Sequence, residues 1–339
     1  MINNIIAQDA ARICERVNFA ALRDKTVLIT GASGLLGTYF LATLGHLRAA
    51  GMAMKVIAQV RSEPAPHTAE IIQRGGFQLA QADVADQREC SSLPEADVVI
   101  HSACYAQPLV FMANPAATIR VNTTATATLL DKLRAGGSLL FVSSAEVYSG
   151  LKQALVNESD IGTTTPLHPR SSYIEGKRCG EAICNAYRNN GIRAVSARLA
   201  FTYGPGTRQH DKRAINSFIE MALCQGRIEL MDAGEAIRTC CYVSDAVELM
   251  WQAGLHGTQP VYNIGGHSLV TTGELAKLVG GITGASVVFP ATQAGVAGAP
   301  EYVRLDVSRA ESEFQKTTYV SLEDGVRATI EWQRGLYGR

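Results

Sequence analysis

The feature that most constrains the fold is a glycine-rich turn near the start of the chain, between an apolar segment and an apolar helix. Residues 26–30 have the composition of a buried parallel strand, and Gly31, Gly34 and Gly37 follow at once. Such a turn needs a residue without Cβ for its bend, bare backbone N–H groups where a pyrophosphate approaches, and close packing of the helix on the strand. The pattern therefore predicts a strand–turn–helix unit that binds a dinucleotide.

Further strands alternate with helices along the next part of the chain. The predicted strands are 55–60, 77–80 with 82–84, 96–100, 138–142 and 194–199. This alternation predicts an α/β fold with a Rossmann-type doubly wound parallel sheet. Before the first strand, apolar residues recur at helical spacing and predict an amphipathic helix on the main body, with a role in oligomer contacts as an alternative: Ile5, Ile6, Ala10, Ile13 and Val17.

A tyrosine and a lysine suggest the chemistry. Tyr173 and Lys177 lie one helical turn apart on the same face of a predicted helix. A lysine ammonium in this position lowers the pKa of a phenol from its reference value near 10, and a phenolate takes the proton from an alcohol while the alcohol carbon gives up hydride. The same spacing also occurs in plain surface pairs. Ser144 favours the catalytic interpretation, because it ends the predicted fifth strand and its hydroxyl can bond the reacting oxygen.

The residue after the second predicted strand bears on the cofactor. NAD enzymes usually carry a carboxylate here for the ribose 2′-hydroxyl, whereas an arginine pairs with the 2′-phosphate of NADP. This chain has Arg61 and no carboxylate before Glu63. Arg61 is thus either a solvated loop residue or a mark of NADP, and the sequence favours NADP slightly over NAD. Asp83 is placed to reach the adenine edge, and His101 is expected to organise backbone beside the cofactor rather than act as a base.

The composition excludes several function classes. The 339 residues carry 31 Lys+Arg and 31 Asp+Glu, a balance that argues against nucleic acid or a membrane surface as partner. No apolar run approaches the roughly 18–20 residues needed to span a bilayer, and residues 1–10 lack the pattern of a secretory signal. The eight cysteines follow no metal-binding pattern. We therefore expect a cytoplasmic protein with reduced thiols and no metal site.

With the glycine turn, Ser144 and Tyr173-x-x-x-Lys177 in this order, the chain resembles the extended short-chain dehydrogenase/reductases. Within them it resembles the NAD-dependent epimerase/dehydratase family that acts on nucleotide sugars, and most of all its UDP-glucuronate decarboxylase subgroup. The similarity runs from about residue 25 to the C-terminus. The motifs that carry it are 114–115 (NP), 169–178 (PRSSYIEGKR), 198–205 (RLAFTYGP), 237–245 (IRTCCYVSD), 262–265 (YNIG) and 306–309 (DVSR).

The resemblance implies how the chain is divided and which residues act. It implies an N-terminal extension at 1–24, a cofactor domain at 25–200 to which 236–262 returns, and a smaller C-terminal substrate-binding lobe at 201–235 and 263–339. The implied catalytic residues are Ser144, Glu146, Tyr173 and Lys177. A tightly bound NAD or NADP is implied to contact Gly31, Ser33, Gly34, Leu35, Leu36, Gly37, Arg61, Asp83, Val84, Ala103, Tyr105, Asn122, Tyr173 and Lys177. A nucleotide-diphosphate sugar is implied to contact Ala145, Phe201, Arg213, Arg238 and Arg304, in a homodimer.

The implied first step is oxidation of the sugar C4 hydroxyl to a 4-keto group, after which the reactions of the family diverge. Glu146 suits a base or proton relay for the second step, or else a carboxylate paired with a basic neighbour. Three positions depart from the family patterns. Ala145 replaces the acid of 4,6-dehydratases, Gly206 replaces an arginine of the decarboxylases, and Phe201 replaces an asparagine that often contacts the sugar. These departures rank 4-epimerisation or a C4-oxidising step first, decarboxylation second and dehydration third.

Two other function classes stay open from the sequence. An alcohol dehydrogenase acting on a non-nucleotide alcohol would consume cofactor, and it would leave Arg238 without a role. A binding protein that senses the cofactor would keep the fold without turnover, which the complete Ser144, Tyr173 and Lys177 set disfavours.

Overall fold

The fold is built on a parallel sheet that is covered on both faces. The computed structural model describes residues 2–290, 298 and 302–338. Its strands, numbered in chain order, are β1 Thr26–Thr30, β2 Lys55–Val60, β3 Gln78–Gln81, β4 Ala96–His101, β5 Leu133–Ser144, β6 Arg193–Leu199, β7 Phe201–Tyr203, β8 Arg227–Glu229, β9 Ile237–Tyr242, β10 Val261–Ile264, β11 Ser268–Thr271, β12 Ser286–Val288 and β13 Tyr302–Val303.

The helices complete the layers above and below the sheets. In chain order they are α1 Ile2–Arg16, α2 Leu35–Ala49, α3 Pro66–Gly75, α4 Gln87–Ser92, α5 Pro108–Ala113, α6 Pro115–Asn122, α7 Thr124–Asp131, α8 Ser171–Asn189, α9 Ala214–Gln225, α10 Val243–His256, α11 Thr272–Thr283, α12 Ser308–Phe314 and α13 Leu322–Tyr337. Short 3-10 helices lie at Ala20–Leu22 and Ala145–Tyr148.

Seven strands form the main sheet in the order β10-β6-β5-β4-β1-β2-β3, all parallel. Every residue of β1 is buried, as expected for an apolar strand with helices on both faces. The helices α1, α2 and α10 pack on one face, and α4, α6, α7 and α8 pack on the other. The predicted doubly wound sheet is confirmed. Its strand order reverses between β1 and β4, which opens a crevice at their carboxyl ends.

Two smaller sheets lie outside the main one. In the first, here called the lobe sheet, β9 pairs with β7, β11 and β13; the second consists of β8 and β12. The predicted return of 236–262 to the cofactor domain needs a correction. Strand β9 belongs to the lobe sheet, whereas α10 packs on the main sheet and β10 becomes its seventh strand. The chain passes from one sheet to the other after Tyr242. Before this residue, Arg238 and its neighbours in β9 pair with β11 and β13; after it come α10 and then β10 of the main sheet. Part of the predicted lobe segment 263–339 lies outside the described residues, namely 291–297, 299–301 and 339. Met1 lies outside them as well.

The expected N-terminal helix is present as α1. Its residues Ile6, Ala10 and Ile13 are buried in the main core. Asp9 is fully buried and accepts hydrogen bonds from the hydroxyls of Tyr39 (2.8 Å) and Tyr242 (3.0 Å), as well as from Arg12. Burial raises the pKa of the Asp9 carboxyl, although these donors oppose the shift. The helix therefore joins α2 of the cofactor domain to the end of β9.

Three general features concern membrane spans, metal ligands and thiols. Among the described residues, none of the helices is long and apolar enough to cross a bilayer. Within the same part of the chain, His, Cys, Asp and Glu side chains form no group that could hold a metal ion. All eight cysteines are free thiols.

Candidate active site

A cleft of about 890 Å³ opens at the carboxyl ends of β1 and β4 and continues towards β9 of the lobe sheet. Most residues that the sequence assigns to the site line this cleft. They are Gly31, Ser33, Gly34, Leu35, Leu36, Gly37, Arg61, Asp83, Val84, Ala103, Tyr105, Ser144, Ala145, Glu146, Tyr173, Lys177, Phe201, Arg213 and Arg238. Asn122 and Arg304 are not brought to it.

The glycine turn forms one end of the cleft. Gly31 has φ of +69°, and a Cβ there would lie 2.6 Å from the backbone of Ala103, so only glycine fits. Helix α2 begins at Leu35 with Gly34 as its N-cap and no side chain covering its first N–H groups. A helix N-terminus with bare N–H groups attracts an anion. The turn thus fits the pyrophosphate of a dinucleotide.

Near the end of β2, Gln59 carries an amide rather than a carboxylate. The Gln59 side chain is buried; its oxygen accepts from the Gly31 N–H (3.0 Å), and its nitrogen donates to the Ala82 carbonyl (2.5 Å). Gln59 therefore fixes the glycine turn to β3. Next to it the Arg61 guanidinium stacks 4.8 Å from the centroid of the Tyr105 ring, at the rim where the adenosine half of a dinucleotide would lie.

His101 and Asn122 lie behind the cofactor end of the cleft. The His101 Nε2 donates to the Val121 carbonyl (2.8 Å), so its Nδ1 accepts from the Thr30 hydroxyl (2.7 Å). Burial lowers the pKa of His101 to about 4, which keeps the ring neutral and fits the expected structural role. The predicted cofactor contact of Asn122 needs a correction. Asn122 is fully buried and does not line the cleft itself: its amide donates to the Thr118 carbonyl (2.7 Å), Gly176 packs against it, and it contacts Cys104, which does line the cleft (Nδ2 to Sγ 3.6 Å).

Ser144, Tyr173 and Lys177 converge midway along the cleft. Strand β5 ends at Ser144, and the first turn of α8 brings Tyr173 beside it. The Lys177 Nζ is buried, donates to the Val142 carbonyl (2.6 Å) and lies 5.7 Å from the centroid of the Tyr173 ring. This arrangement places a phenol, a hydroxyl and an ammonium around one point of the cleft, as alcohol oxidation by hydride transfer requires.

The electrostatics of Tyr173 correct one expectation. Burial raises the pKa of the Tyr173 phenol above its ordinary value, and the nearby Cys104 and Glu146 add to the shift. A hydrogen bond with Ser144 and the charge of Arg170 act in the opposite direction. Lys177 does not bring about the predicted net lowering, because its ammonium is directed at the Val142 carbonyl and burial lowers its own pKa.

An aromatic side chain that the sequence did not point to supports the phenol. Phe111 on α5 is buried and stacks on Tyr173 with ring centroids 4.6 Å apart and an interplanar angle of 17°. The Arg170 guanidinium lies 5.0 Å from the centroid of the Phe111 ring. Phe111 thus fixes the plane of the phenol and excludes water from one side of it.

Glu146 is held in a bidentate ion pair. The Arg170 Nε donates to one carboxylate oxygen (2.8 Å) and its Nη2 donates to the other. Arg170 is 3% exposed, and the charge of Arg238 acts on the same carboxylate. In this structure Glu146 is therefore a carboxylate paired with a basic neighbour, as the alternative interpretation has it. Two arginines around one carboxylate leave a positive charge near Tyr173, which favours an anionic group on the substrate.

The predicted substrate arginines separate into two places. Arg213 lines the cleft and pairs with Asp211 (2.6 Å); burial pushes the pKa of that carboxyl upward, but the hydrogen bonds and charge of Arg213 lower it overall. Arg238 lines the cleft between Glu146 and the lobe. The prediction for Arg304 needs a correction: it is exposed on a separate cavity of about 180 Å³, because β13 leads it past β9 and its carbonyl accepts from the Val156 N–H.

Sequence reasoning missed Gln59, Phe111 and Arg170 as parts of the site. Arg170 was within reach, because it stands in the motif just before Tyr173. For Gln59 the sequence signal was only that no carboxylate stands at the end of the second strand. Phe111 carries no local signal, since its position over the phenol depends on how α5 packs against α8.

This chain is similar in sequence and fold to several known proteins. The model of the NAD dependent epimerase/dehydratase family matches residues 27–265. UDP-glucuronic acid decarboxylase 1 of Xenopus tropicalis is 30% identical over 325 residues, which cover 94% of this chain and 74% of the relative. A dTDP-glucose 4,6-dehydratase from Streptomyces venezuelae, solved with NAD, has a TM-score of 0.79 and 26% identity, covering 92% of this chain and 98% of that one. A UDP-glucuronic acid 4-epimerase from Bacillus cereus, solved with UDP-glucuronic acid and NAD, has a TM-score of 0.75 and 25% identity, covering 92% and 100%.

Proposed function

Because this chain belongs to the NAD dependent epimerase/dehydratase family, we propose that it oxidises C4 of a nucleotide-diphosphate sugar to a 4-keto sugar. The family confirms the resemblance drawn from the sequence and makes the chain an NAD-dependent enzyme of the short-chain dehydrogenase/reductase type. The observation that carries the proposal is the convergence of Ser144, Tyr173 and Lys177 in a cleft that runs from the glycine turn to Arg213 and Arg238.

The residues divide the first step among them. Ser144 and Tyr173 bind the C4 oxygen, and the Tyr173 phenolate takes its proton. Lys177, anchored on the Val142 carbonyl, supplies a fixed positive charge beside that proton transfer. A nicotinamide bound at the glycine turn would supply the hydride acceptor for C4 and the donor for the hydride's return. Because burial disfavours the Tyr173 phenolate, we expect turnover to rise with pH until the phenol of the complete complex is ionised.

We propose NAD as the cofactor. Solved relatives hold NAD, and Arg61 is engaged with the Tyr105 ring. The slight preference for NADP that Arg61 suggested finds no support in these relatives. It is tested by comparing the affinities of NAD and NADP in the wild type and in Arg61→Ala. Loss of NADP affinity alone in the variant would restore the NADP interpretation.

The proposed substrate is a uridine diphosphate sugar that carries a carboxylate. Relatives of this chain are named for UDP-glucuronic acid, and both a decarboxylase and a 4-epimerase are among them. The positive charge that Arg170 and Arg238 leave around Glu146 supports an acid group near C5, and Arg213, which also lines the cleft, supports binding of the diphosphate. An alcohol dehydrogenase acting outside the nucleotide sugars would leave these arginines without a role.

The second step has two candidates. Return of the hydride to the other face of C4 gives a 4-epimerase, which the departures at Gly206 and Phe201 favour. A 4-keto uronate is a β-keto acid that loses carbon dioxide readily, and the decarboxylase names of the relatives favour this second candidate. Dehydration ranks third, because the buried methyl group of Ala145 provides no proton.

Product analysis tests the proposal. Purified protein with NAD is incubated with UDP-glucuronate, UDP-glucose, UDP-N-acetylglucosamine, dTDP-glucose and GDP-sugars, and the products are identified by NMR and mass spectrometry. A product of equal mass means 4-epimerase, loss of carbon dioxide means decarboxylase, and loss of water means dehydratase. Bound cofactor with no product from any sugar would overturn the proposal. The homodimer and the cytoplasmic location stay predictions, the first to be tested by light scattering.

A further inference from the structure

The irregular segment at residues 204–213, here called the substrate loop, joins β7 to α9 and lines the cleft from Gly206 onward. Three of its residues have positive φ: Gly204 with +150°, Gly206 with +101° and His210 with +58°. For His210 this conformation costs free energy, so the loop keeps its shape only if surrounding groups impose it. Those groups lie on the side of the loop that faces away from the cleft.

Two buried donors hold the middle of the substrate loop. The Trp332 indole N–H on α13 donates to the Thr207 carbonyl (3.0 Å), and the His67 Nε2 on α3 donates to the Gly206 carbonyl (3.2 Å). The two rings meet edge to face, with centroids 4.9 Å apart. Trp332 is fully buried and Thr207 is 2% exposed, so water cannot replace these bonds.

The end of α13 holds the next part of the loop. The Gln209 amide donates to the Leu336 carbonyl (2.5 Å), and the Tyr337 hydroxyl accepts from the His210 N–H (3.0 Å). Consecutive loop residues are thus tied to one helix near the C-terminus. Among the described residues, neither Trp332 nor His67 lines the cleft, so any effect on substrate must pass through the loop.

From this arrangement we infer that Trp332 and His67 are positioning residues, which hold the substrate loop in the shape that binds the sugar nucleotide. The inference rests on the proposed function for its ligand, because the loop carries Arg213 and faces the sugar half of the cleft. It predicts that loosening the anchor weakens binding of the sugar nucleotide more than binding of the cofactor, because Gly31 and Gly34 of the cofactor turn take part in none of these hydrogen bonds.

The chain supplies a matched control. It has two tryptophans, and the other one, Trp251 on α10, is equally buried. Trp251 packs edge to face against Phe19 (5.2 Å) and Phe40 (5.1 Å), and its N–H has no hydrogen-bond partner. Trp→Phe at either position removes a similar volume from the core. Only at Trp332 does it also remove a bond to the loop.

Limited trypsin digestion tests the anchor without any substrate. Arg208 and Lys212 are exposed loop residues after which trypsin cleaves. We expect Trp332→Phe to speed cleavage at these two sites about fivefold over Trp251→Phe, as the loss of one net hydrogen bond predicts. In kinetics, Trp332→Phe should raise KM for the sugar nucleotide about five- to tenfold, with kcat and NAD affinity within about twofold of Trp251→Phe. Equal cleavage rates and equal KM values in the two variants would overturn the inference.

Fluorescence provides a test that survives misfolding of Trp332→Phe. In Trp251→Phe the only indole left is that of Trp332, so the fluorescence of this variant reports on the anchor alone. Its emission should change when UDP binds, and calorimetry measures the binding of UDP independently. Bound UDP with unchanged emission would overturn the inference. If the wild type turns over no nucleotide sugar, the proposed function fails, and the trypsin comparison still decides the anchoring role by itself.

Discussion

Replacing Glu146 by glutamine would leave the Arg170 guanidinium buried without its carboxylate. The side chains of this pair are 4% and 18% exposed, and the contact is bidentate. At a charge separation of about 4 Å and an effective dielectric constant of about 20, the attraction is worth about 4 kcal/mol before the cost of desolvation is subtracted. We therefore expect Glu146→Gln to lower the free energy of unfolding by about 2–3 kcal/mol.

A double-mutant cycle measures the pair itself. Denaturant unfolding of Glu146→Gln, Arg170→Gln and the double variant should give a coupling free energy of about 2 kcal/mol, because the double variant leaves no charge unpaired. Glu323→Gln is the matched control. Its partner Arg327 lies one helical turn away on α13, both side chains are more than half exposed, and the expected loss is about 0.5 kcal/mol or less. Additivity of the two active-site changes within about 0.5 kcal/mol would refute the reasoning.

The same variant separates a structural role of Glu146 from a chemical one. If Glu146 moves a proton after C4 oxidation, Glu146→Gln should still reduce NAD in a single turnover, and the 4-keto sugar should accumulate. The absorbance of reduced nicotinamide and mass spectrometry of the quenched mixture follow the two species. An equal loss of both steps would assign Glu146 to positioning of Arg170 alone.

Three further predictions concern single residues. Tyr173→Phe should reduce turnover about 10²–10⁴-fold in the product assay while NAD affinity persists; full turnover would refute the mechanism. His101, with its pKa lowered to about 4 by burial, binds fewer protons folded than unfolded, so the free energy of unfolding should fall by about 3 kcal/mol as pH drops from about 6.5 to 4. In His101→Asn this slope should flatten in denaturant titrations at several pH values, and an unchanged slope would contradict the assignment. Gly206→Ala should lower the free energy of unfolding by about 1–2 kcal/mol, because φ is +101° and a Cβ would lie 3.4 Å from Leu35. The control Gly281→Ala, in the open interior of α11, should instead raise it. Equal effects of the two changes would contradict the strain argument.

Much of the fold was predictable because its signals are local. The apolar strand at Thr26–Thr30 and the glycines after it specify one turn whose neighbours must be a helix and a cofactor. The strands at 55–60, 96–100 and 194–199 appear within a residue or so of their predicted bounds. Strand β5 begins earlier than predicted, at Leu133, because pairing with β4 extends it through residues with little strand character of their own.

The errors concern side chains whose surroundings come from distant parts of the chain. Arg304 was assigned to the substrate by its motif, yet the pairing of β13 with β9 carries it to another cavity. Asn122 was assigned to the cofactor, yet it is buried where α6 packs on α8, and its neighbour Cys104 lines the cleft instead. In both cases the motif gave the residue type and approximate position, and packing decided which way the side chain points.

By itself the sequence determined the doubly wound sheet, the cofactor turn and the helix that carries Tyr173 and Lys177. These features follow from backbone geometry and periodicity over a few residues. Only the tertiary structure decided the raised pKa of Tyr173, the pairing of Glu146 with Arg170, and the hydrogen bonds that hold the substrate loop on α13. The physical reason is that pKa values and buried hydrogen bonds depend on dielectric surroundings and partners. Folding brings those partners together from segments far apart in the chain.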